Sequence, residues 1–250
     1  MNYQLISKSL MVNLSLRQEP VAISFSDTVP SDIPAYQGRV AAGCRFWEEA
    51  ATQTFATSAT DHSLCAIGVY THNLEPSANH QTDLHDALNV FDQLGYVTNA
   101  DLPGIPTLKS RPSYVIYSPL SNVKSTPQVV LLFVDASQTL ILTEATSQVE
   151  HEHPPAMGRP ACAVVPQVFN TGRASLSLGC CGARAYLDTL DAGTAIFAIP
   201  AEKLDLYSSR IESLAKANTI LSKFHQLRRQ DVEAGKAPTI KESLALMAAQ

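Results

Sequence analysis

Cysteine-bearing motifs occur once in each half of this chain, and this repetition constrains the fold more than any other feature. The first half contains CRFWEEAAT and then SLCAIGVY, and the second contains CAVVPQVFNTG and then SLGCCGARAY. In each half, one cysteine opens a predicted helix and a later cysteine lies near a glycine. If the two halves pack as a pseudo-symmetric pair, four sulfur atoms can converge on one site.

The order of the predicted elements agrees with two related halves, residues 1–126 and 127–235. Each half is predicted to have an apolar strand, a helix opened by a cysteine, a strand that carries a cysteine, and a later strand that ends near a proline. Strands and helices alternate irregularly, which favours an α+β fold with mixed or antiparallel sheets over a regular βαβ series. We therefore predict one domain over residues 1–250, built from two pseudo-symmetric α/β halves.

Two of the predicted strands carry candidate site residues. Residues 64–70 are predicted to form a strand that carries Cys65, and residues 176–186 a strand that carries Cys180. Two further segments, 128–133 and 139–144, flank a turn-like connection, which predicts a hairpin.

Helix predictions are clearest in the second half. Pro160 favours the first position of a helix that runs to about residue 170, with Gly172 as its stop. A long C-terminal helix is predicted from Pro200 to Gly235. The tail, residues 236–250, is predicted to form a short terminal helix that begins with a capping box.

Composition and charge exclude several classes of protein. The chain has 250 residues, of which 45% are hydrophobic, and its formal net charge is −5. An acidic chain without a basic tract argues against binding to nucleic acid. The longest apolar run, residues 129–134, is too short to span a membrane, and the N-terminal residues do not resemble a secretion signal. We expect a soluble cytoplasmic protein whose thiols are reduced or metal-bound.

The cysteines indicate a metal centre. Cys44 and Cys162 fall in the first turn of predicted helices, where unpaired N–H groups favour a thiolate. Thiolates select zinc or an iron–sulfur cluster, and the chain has no C-x-x-C knuckle typical of structural zinc. Four cysteines from four different elements are more typical of an enclosed cluster. The predicted ligands of this metal cofactor are Cys44, Cys65, Cys162 and Cys180.

Other side chains are candidates for supporting roles. Cys180 and Cys181 would point to opposite faces of a strand, so we predict Cys180 as the ligand and Cys181 as a spare thiol, a core thiol or a second reactive group. His62 lies three residues before Cys65, where it could replace a sulfur ligand, although a plain core or surface position is the alternative. Arg45 and Arg184 are candidates to balance the charge of a cluster or to hold an anionic substrate.

The motifs CRFWEEA, SLCAIG, GRPACAVVPQVFNTGRASLSLGCCGARAY and AIFAIP resemble those of the prokaryotic DUF169 family, described as uncharacterised ArCR. The resemblance runs from PVAISF to the helix after Pro200. It implies one family-wide domain, with family cysteine positions at Cys44, Cys65, Cys162 and Cys180. It implies little about activity. Cys181 departs from the family pattern, in which a different residue commonly follows the last cysteine.

These observations lead to one principal hypothesis and two alternatives. The principal hypothesis is a [4Fe–4S] protein that acts in redox or small-molecule conversion, as an oxidoreductase or a lyase of the desulfidase type, with a small-molecule substrate or a redox partner protein. If only three cysteines bind, an open iron would be a Lewis acid or a sulfur acceptor. The first alternative is a binding module without turnover for zinc, haem or another thiophilic ligand. The second is a metal-free enzyme with Cys162 as nucleophile.

Overall fold

The computed structural model describes residues 1–98 and 100–248. Its helices are α1 (Tyr3–Leu14), α2 (Arg45–Glu49), α3 (Ala66–Thr71), α4 (Ala78–Gln93), α5 (Ala136–Glu150), α6 (Val164–Thr171), α7 (Cys181–Tyr186), α8 (Leu204–Glu233) and α9 (Ile240–Ala248). Its strands are β1 (Val21–Ser26), β2 (Phe55–Thr57), β3 (Tyr114–Pro119), β4 (Val129–Val134), β5 (Ala156–Met157), β6 (Ser175–Ser177) and β7 (Ala195–Pro200). Short 3-10 turns occur at Leu102–Gly104, Leu120–Asn122, Ala161–Ala163 and Ala201–Lys203.

The strands form one mixed sheet in the order β2-β3-β1-β4-β7-β6-β5. All neighbours pair antiparallel except β5, which pairs parallel to β6. The order is two-fold about the β1–β4 boundary, because β1-β3-β2 on one side corresponds to β4-β7-β6 on the other. The prediction of an α+β fold with two pseudo-symmetric halves is therefore confirmed.

Matching backbone hydrogen bonds reinforce this symmetry. A 3-10 turn follows both β3 and β7. In the first half, the N–H of Leu120 donates to the carbonyl of Pro20, 2.8 Å away, just before β1. In the second half, the N–H of Ala201 donates to the carbonyl of Gln128, 3.0 Å away, just before β4. In each half, the 3-10 turn after the last strand therefore makes the same hydrogen bond to the residue that precedes the first strand.

Helices cover both faces of the sheet, and only one face carries the cysteines. Because side chains alternate along a strand, Phe197 packs with α1, α5 and α8, whereas Ile196 and Ala198 pack with α2, α3, α6 and α7. The central strands β4 and β7 are buried along their whole length, which explains their unbroken apolar sequence. The cysteine face also contains the fully buried Phe46 and Trp47 of α2.

The predicted hairpin was wrong. Strand β4 pairs with β1 and β7, and the chain after it forms α5. Asp135 caps this helix: its side chain accepts from the N–H of Gln138 at 2.9 Å, and the Gln138 side chain accepts from the N–H of Asp135 at 2.8 Å. Such a reciprocal capping box satisfies two exposed N–H groups and outweighs the β propensity of the residues that follow.

The predicted strands at Cys65 and Cys180 were also wrong. Cys65 immediately precedes α3, and Cys180 immediately precedes α7. A short apolar run does not distinguish a buried strand from a buried helix, so the pattern in residues 64–70 was ambiguous. In the second half, Gly179 has φ +82°, which turns the chain out of β6 before the helix begins.

The other helix predictions are confirmed. A 3-10 turn and then α6 follow Pro160, and α6 ends at Gly172, whose φ is +63°. The long helix α8 follows β7, and Thr239 and Glu242 form the capping box before α9. None of the helices in the described ranges is long and apolar enough to cross a bilayer.

Candidate cysteine site

Each of the four predicted ligands lies at the start of a helix. Cys44, Cys65 and Cys180 are the cap residues of α2, α3 and α7, and Cys162 lies in the 3-10 turn that leads into α6. Sequence reasoning expected this for only two of them. All four line a single cavity of about 740 Å³ on one face of the sheet.

Polar groups that favour negative charge lie beside three of the four sulfur atoms. The Sγ of Cys180 accepts from the N–H of Ala183 at 3.5 Å. Burial is the main influence on the pKa of Cys65, and the backbone groups of Gly43 and then Gly68 oppose it. The hydroxyl of Thr71 donates to the Sγ of Cys162 at 3.4 Å. Such donors stabilise negative charge on sulfur.

Burial and mutual proximity oppose ionisation of these thiols. Burial, followed by the nearby Cys65 and Cys180, raises the pKa of Cys44 to about 12. Burial raises the pKa of Cys65, and it raises that of Cys162 well above its ordinary value. The thiols lie close enough to affect one another's charge, so without a cation among them Cys44, Cys65 and Cys162 are protonated at neutral pH.

Two glycines allow Cys65 and His62 to pack tightly against the backbone. A Cβ on Gly68 would lie 3.0 Å from the Sγ of Cys65 and 3.2 Å from the Nδ1 of His62. A Cβ on Gly43 would lie only 2.7 Å from the same Nδ1. His62 is fully buried next to Cys65 and is outside the cavity lining, with its Nδ1 lacking a protein partner in the described residues.

His72 is a buried polar group in the wall of the cavity. It is 1% exposed, and neither ring nitrogen has a hydrogen-bond partner in the described part of the protein. Burial lowers the pKa of His72 to about 4, so the ring is neutral at neutral pH. A neutral imidazole has one donor and one acceptor, and neither is used by a protein group in the described residues.

The two arginine candidates lie away from the cavity. Arg45 pairs with Glu48 and, at 3.0 Å, with Asp188. Glu48 in turn accepts from the N–H and hydroxyl of Thr189 at 2.6 Å each, which ties α2 to the second half. The guanidinium of Arg184 donates to backbone carbonyls in the loops around α7. Both side chains therefore organise the loops that carry the cysteines, and neither lines the cavity.

A different arginine, Arg159, lines the cavity. Its guanidinium lies 3.9 Å from the centre of the Tyr96 ring, and it donates to the carbonyl oxygen of the same residue. The hydroxyl of Tyr96 accepts from the N–H of Cys181 at 3.4 Å. Within the described residues, no carboxylate forms a salt bridge with Arg159.

Cys181 also lines the cavity, and it is exposed. The prediction that Cys180 and Cys181 point to opposite faces of a strand is wrong, because the pair begins α7. The two thiols differ instead in burial and in hydrogen bonding, since Cys180 is half-buried and accepts from the helix backbone.

Helix α4 forms an apolar wall that sequence reasoning did not connect with the site. Leu84, Ala87, Leu88 and Phe91 face the cavity, and Asp83 and Asp86 lie at its exposed edge. The helix begins at Ala78, where Ser77 and His80 form its capping box. Its amphipathic pattern was visible in the sequence, but nothing in the pattern showed which surface it covers. Likewise, nothing in the sequence showed that His72 and Tyr96 line the cavity.

The spacing of the donors bears on the kind of metal. In residues 1–98 and 100–248, no group of three or more His, Cys, Asp or Glu side chains is arranged to hold a metal ion. A tetrahedral zinc site with Zn–S bonds of about 2.3 Å needs sulfurs about 4 Å apart. In the described residues, the side chains are therefore not arranged as a ready-made metal site, and the predicted metal centre stays a prediction.

Comparison with known proteins identifies a family. A family model described as DUF169, uncharacterised ArCR, matches residues 9–209. No curated protein and no solved structure matches the chain. Because the match covers most of the chain and contains all five cysteines, this protein belongs to the DUF169 family.

Proposed function

We propose that Cys44, Cys65, Cys162 and Cys180 hold a [4Fe–4S] cluster and that the protein uses it in the conversion of a small molecule. The observation that carries the proposal is the convergence of four thiols from four helix starts on one cavity. A cluster with several irons spreads its thiolate ligands more widely than one zinc ion does.

The electrostatics of the thiols support a cationic centre. Four neighbouring thiolates repel one another, and burial adds to the cost of ionising them. Iron would offset both effects, because a metal deprotonates the thiols that coordinate it. The hydrogen bonds to Cys162 and Cys180 would then act on sulfur atoms that carry charge, which is a means of tuning a cluster's potential.

A bound cluster would supply electron transfer, or Lewis acidity at an iron without a protein ligand. The chain's own residues would shape the space beside it. Helix α4 excludes water with its apolar side chains, His72 presents a neutral donor and acceptor, and Arg159 presents a positive charge. This combination is typical of a small-molecule site. A metal-free nucleophile is less well supported, because the raised pKa of Cys162 disfavours its thiolate.

Anaerobic purification and reconstitution with iron and sulfide test the proposal. We expect visible absorption and about four irons and four sulfides per chain. Replacing any one of the four cysteines by serine should lower the iron content or make the cluster labile. Cys181→Ser is the matched control, since it changes a neighbouring cavity thiol and should retain full loading. Protein that stays free of iron, or iron lost only in Cys181→Ser, would contradict the assignment.

A further inference from the structure

The cavity next to the cysteines has walls of two kinds. One side is the apolar face of α4, with Leu84, Ala87 and Phe91. The other contains Arg159, held by the Tyr96 ring and by the Tyr96 carbonyl. Its volume of about 740 Å³ is in the range of sites that take a whole small organic molecule.

The guanidinium of Arg159 is suited to an acidic group. The Tyr96 ring, 3.9 Å away, and the Tyr96 carbonyl position the guanidinium, and only one of its nitrogens is used by the carbonyl, so the remaining N–H groups are open to a ligand. A guanidinium in this state binds a carboxylate or sulfonate through paired hydrogen bonds. The unpartnered ring of His72 in the same cavity is a second sign of a ligand site, since buried polar groups ordinarily have partners.

We propose that the cavity binds an amphipathic organic anion, with its acidic group on Arg159 and its apolar body along α4. As a statement about the substrate, this inference rests on the proposed function. Asp83 and Asp86 at the edge of the cavity disfavour polyanions, so the ligand carries a single acidic group. Their exposure lets solvent screen them from a monoanion held at Arg159.

Two probes with the same ring system separate the acidic contact from the apolar one. They are 8-anilinonaphthalene-1-sulfonate, an apolar body with one acidic group, and N-phenyl-1-naphthylamine, which lacks that group. Calorimetric titration of the protein as purified should show both binding. In Arg159→Gln, the Kd of the anion should rise about tenfold or more while that of the neutral probe changes less than about twofold. Arg159→Lys should lie between the wild type and Arg159→Gln.

Two control variants test whether the probes bind in this cavity. Arg17→Gln removes an exposed arginine outside the cavity and should change neither Kd. Ala87→Trp fills the cavity and should weaken both probes together. The inference is overturned if Arg159→Gln affects both probes equally or neither, or if Ala87→Trp leaves both unchanged. Anion binding through Arg159 in protein that takes up no iron would keep this inference and end the cluster proposal. Full iron loading without anion binding through Arg159 would keep the cluster proposal and end this inference.

Discussion

Replacing His72 tests whether this side chain serves the cavity or the fold. A buried donor or acceptor without a partner costs about 1–3 kcal/mol relative to a satisfied group. Phenylalanine is similar in shape and keeps the ring contact with Phe25, whose centroid lies 5.6 Å away. We therefore expect His72→Phe to leave the free energy of unfolding of the metal-free protein unchanged or to raise it by about 1 kcal/mol.

His80 provides the matched control because it is equally buried and fully partnered. It is 5% exposed, its Nδ1 accepts from the N–H of Ser77 at 3.1 Å, and its Nε2 lies 3.2 Å from the carbonyl of His62. His80→Phe breaks both contacts and should lower the free energy of unfolding by about 1–3 kcal/mol. Urea denaturation followed by circular dichroism near neutral pH measures both variants. A loss above about 1 kcal/mol in His72→Phe, or none in His80→Phe, would refute the reasoning.

Three further predictions concern the cysteine loops. Gly68→Ala should lower the melting temperature, although alanine ordinarily favours a helix by about 1 kcal/mol, because its Cβ would lie 3.0 Å from a cysteine sulfur; Gly104→Ala, with no atom within 4 Å, should not. Glu48→Ala should cost about 2 kcal/mol in urea denaturation by breaking the link between halves, whereas Glu75→Ala, in an exposed pair, should cost under about 0.5 kcal/mol. The pKa of Cys44 is raised to about 12, so its protonated thiol contributes fully to the stability of the metal-free protein below the ordinary thiol value of 9.0, and this contribution is lost as pH rises toward 12. Urea midpoints measured across this pH range should therefore fall less in Cys44→Ser than in the wild type. An equal fall in both proteins would contradict the raised pKa.

The repeated cysteine motifs were sufficient to predict the duplicated fold. Each motif places a cysteine at the same step of its half, so Cys44 corresponds to Cys162 and Cys65 to Cys180, and the two-fold strand order brings these pairs to one face of the sheet. Local signals such as Pro160 before a helix were also reliable, since they depend on backbone chemistry within a few residues.

Sequence proximity failed to predict which charged side chains reach the cavity. Arg45 adjoins a site cysteine, but its side chain extends away to Glu48 and Asp188, because those carboxylates satisfy it at the surface. Arg159 enters the site because Tyr96, from the other half, supplies a ring and a carbonyl for it. Contacts between distant segments of this kind have no local pattern to reveal them.

The sulfur atoms are arranged symmetrically, but the cavity walls around them are not. The first property suits the binding of a metal cluster, and the second suits the orientation of a ligand. Equivalent thiols from two related halves fit a centre whose ligands are chemically interchangeable. The cavity walls are not equivalent, because α4 comes from the first half alone and Arg159 from the second alone. A ligand between an apolar wall and a single cation has one favourable orientation, and the pseudo-symmetric thiols then meet a defined end of it. In the proposed cluster protein, the duplication supplies the four thiols, and the elements that differ between the halves supply the unequal walls that would orient a ligand.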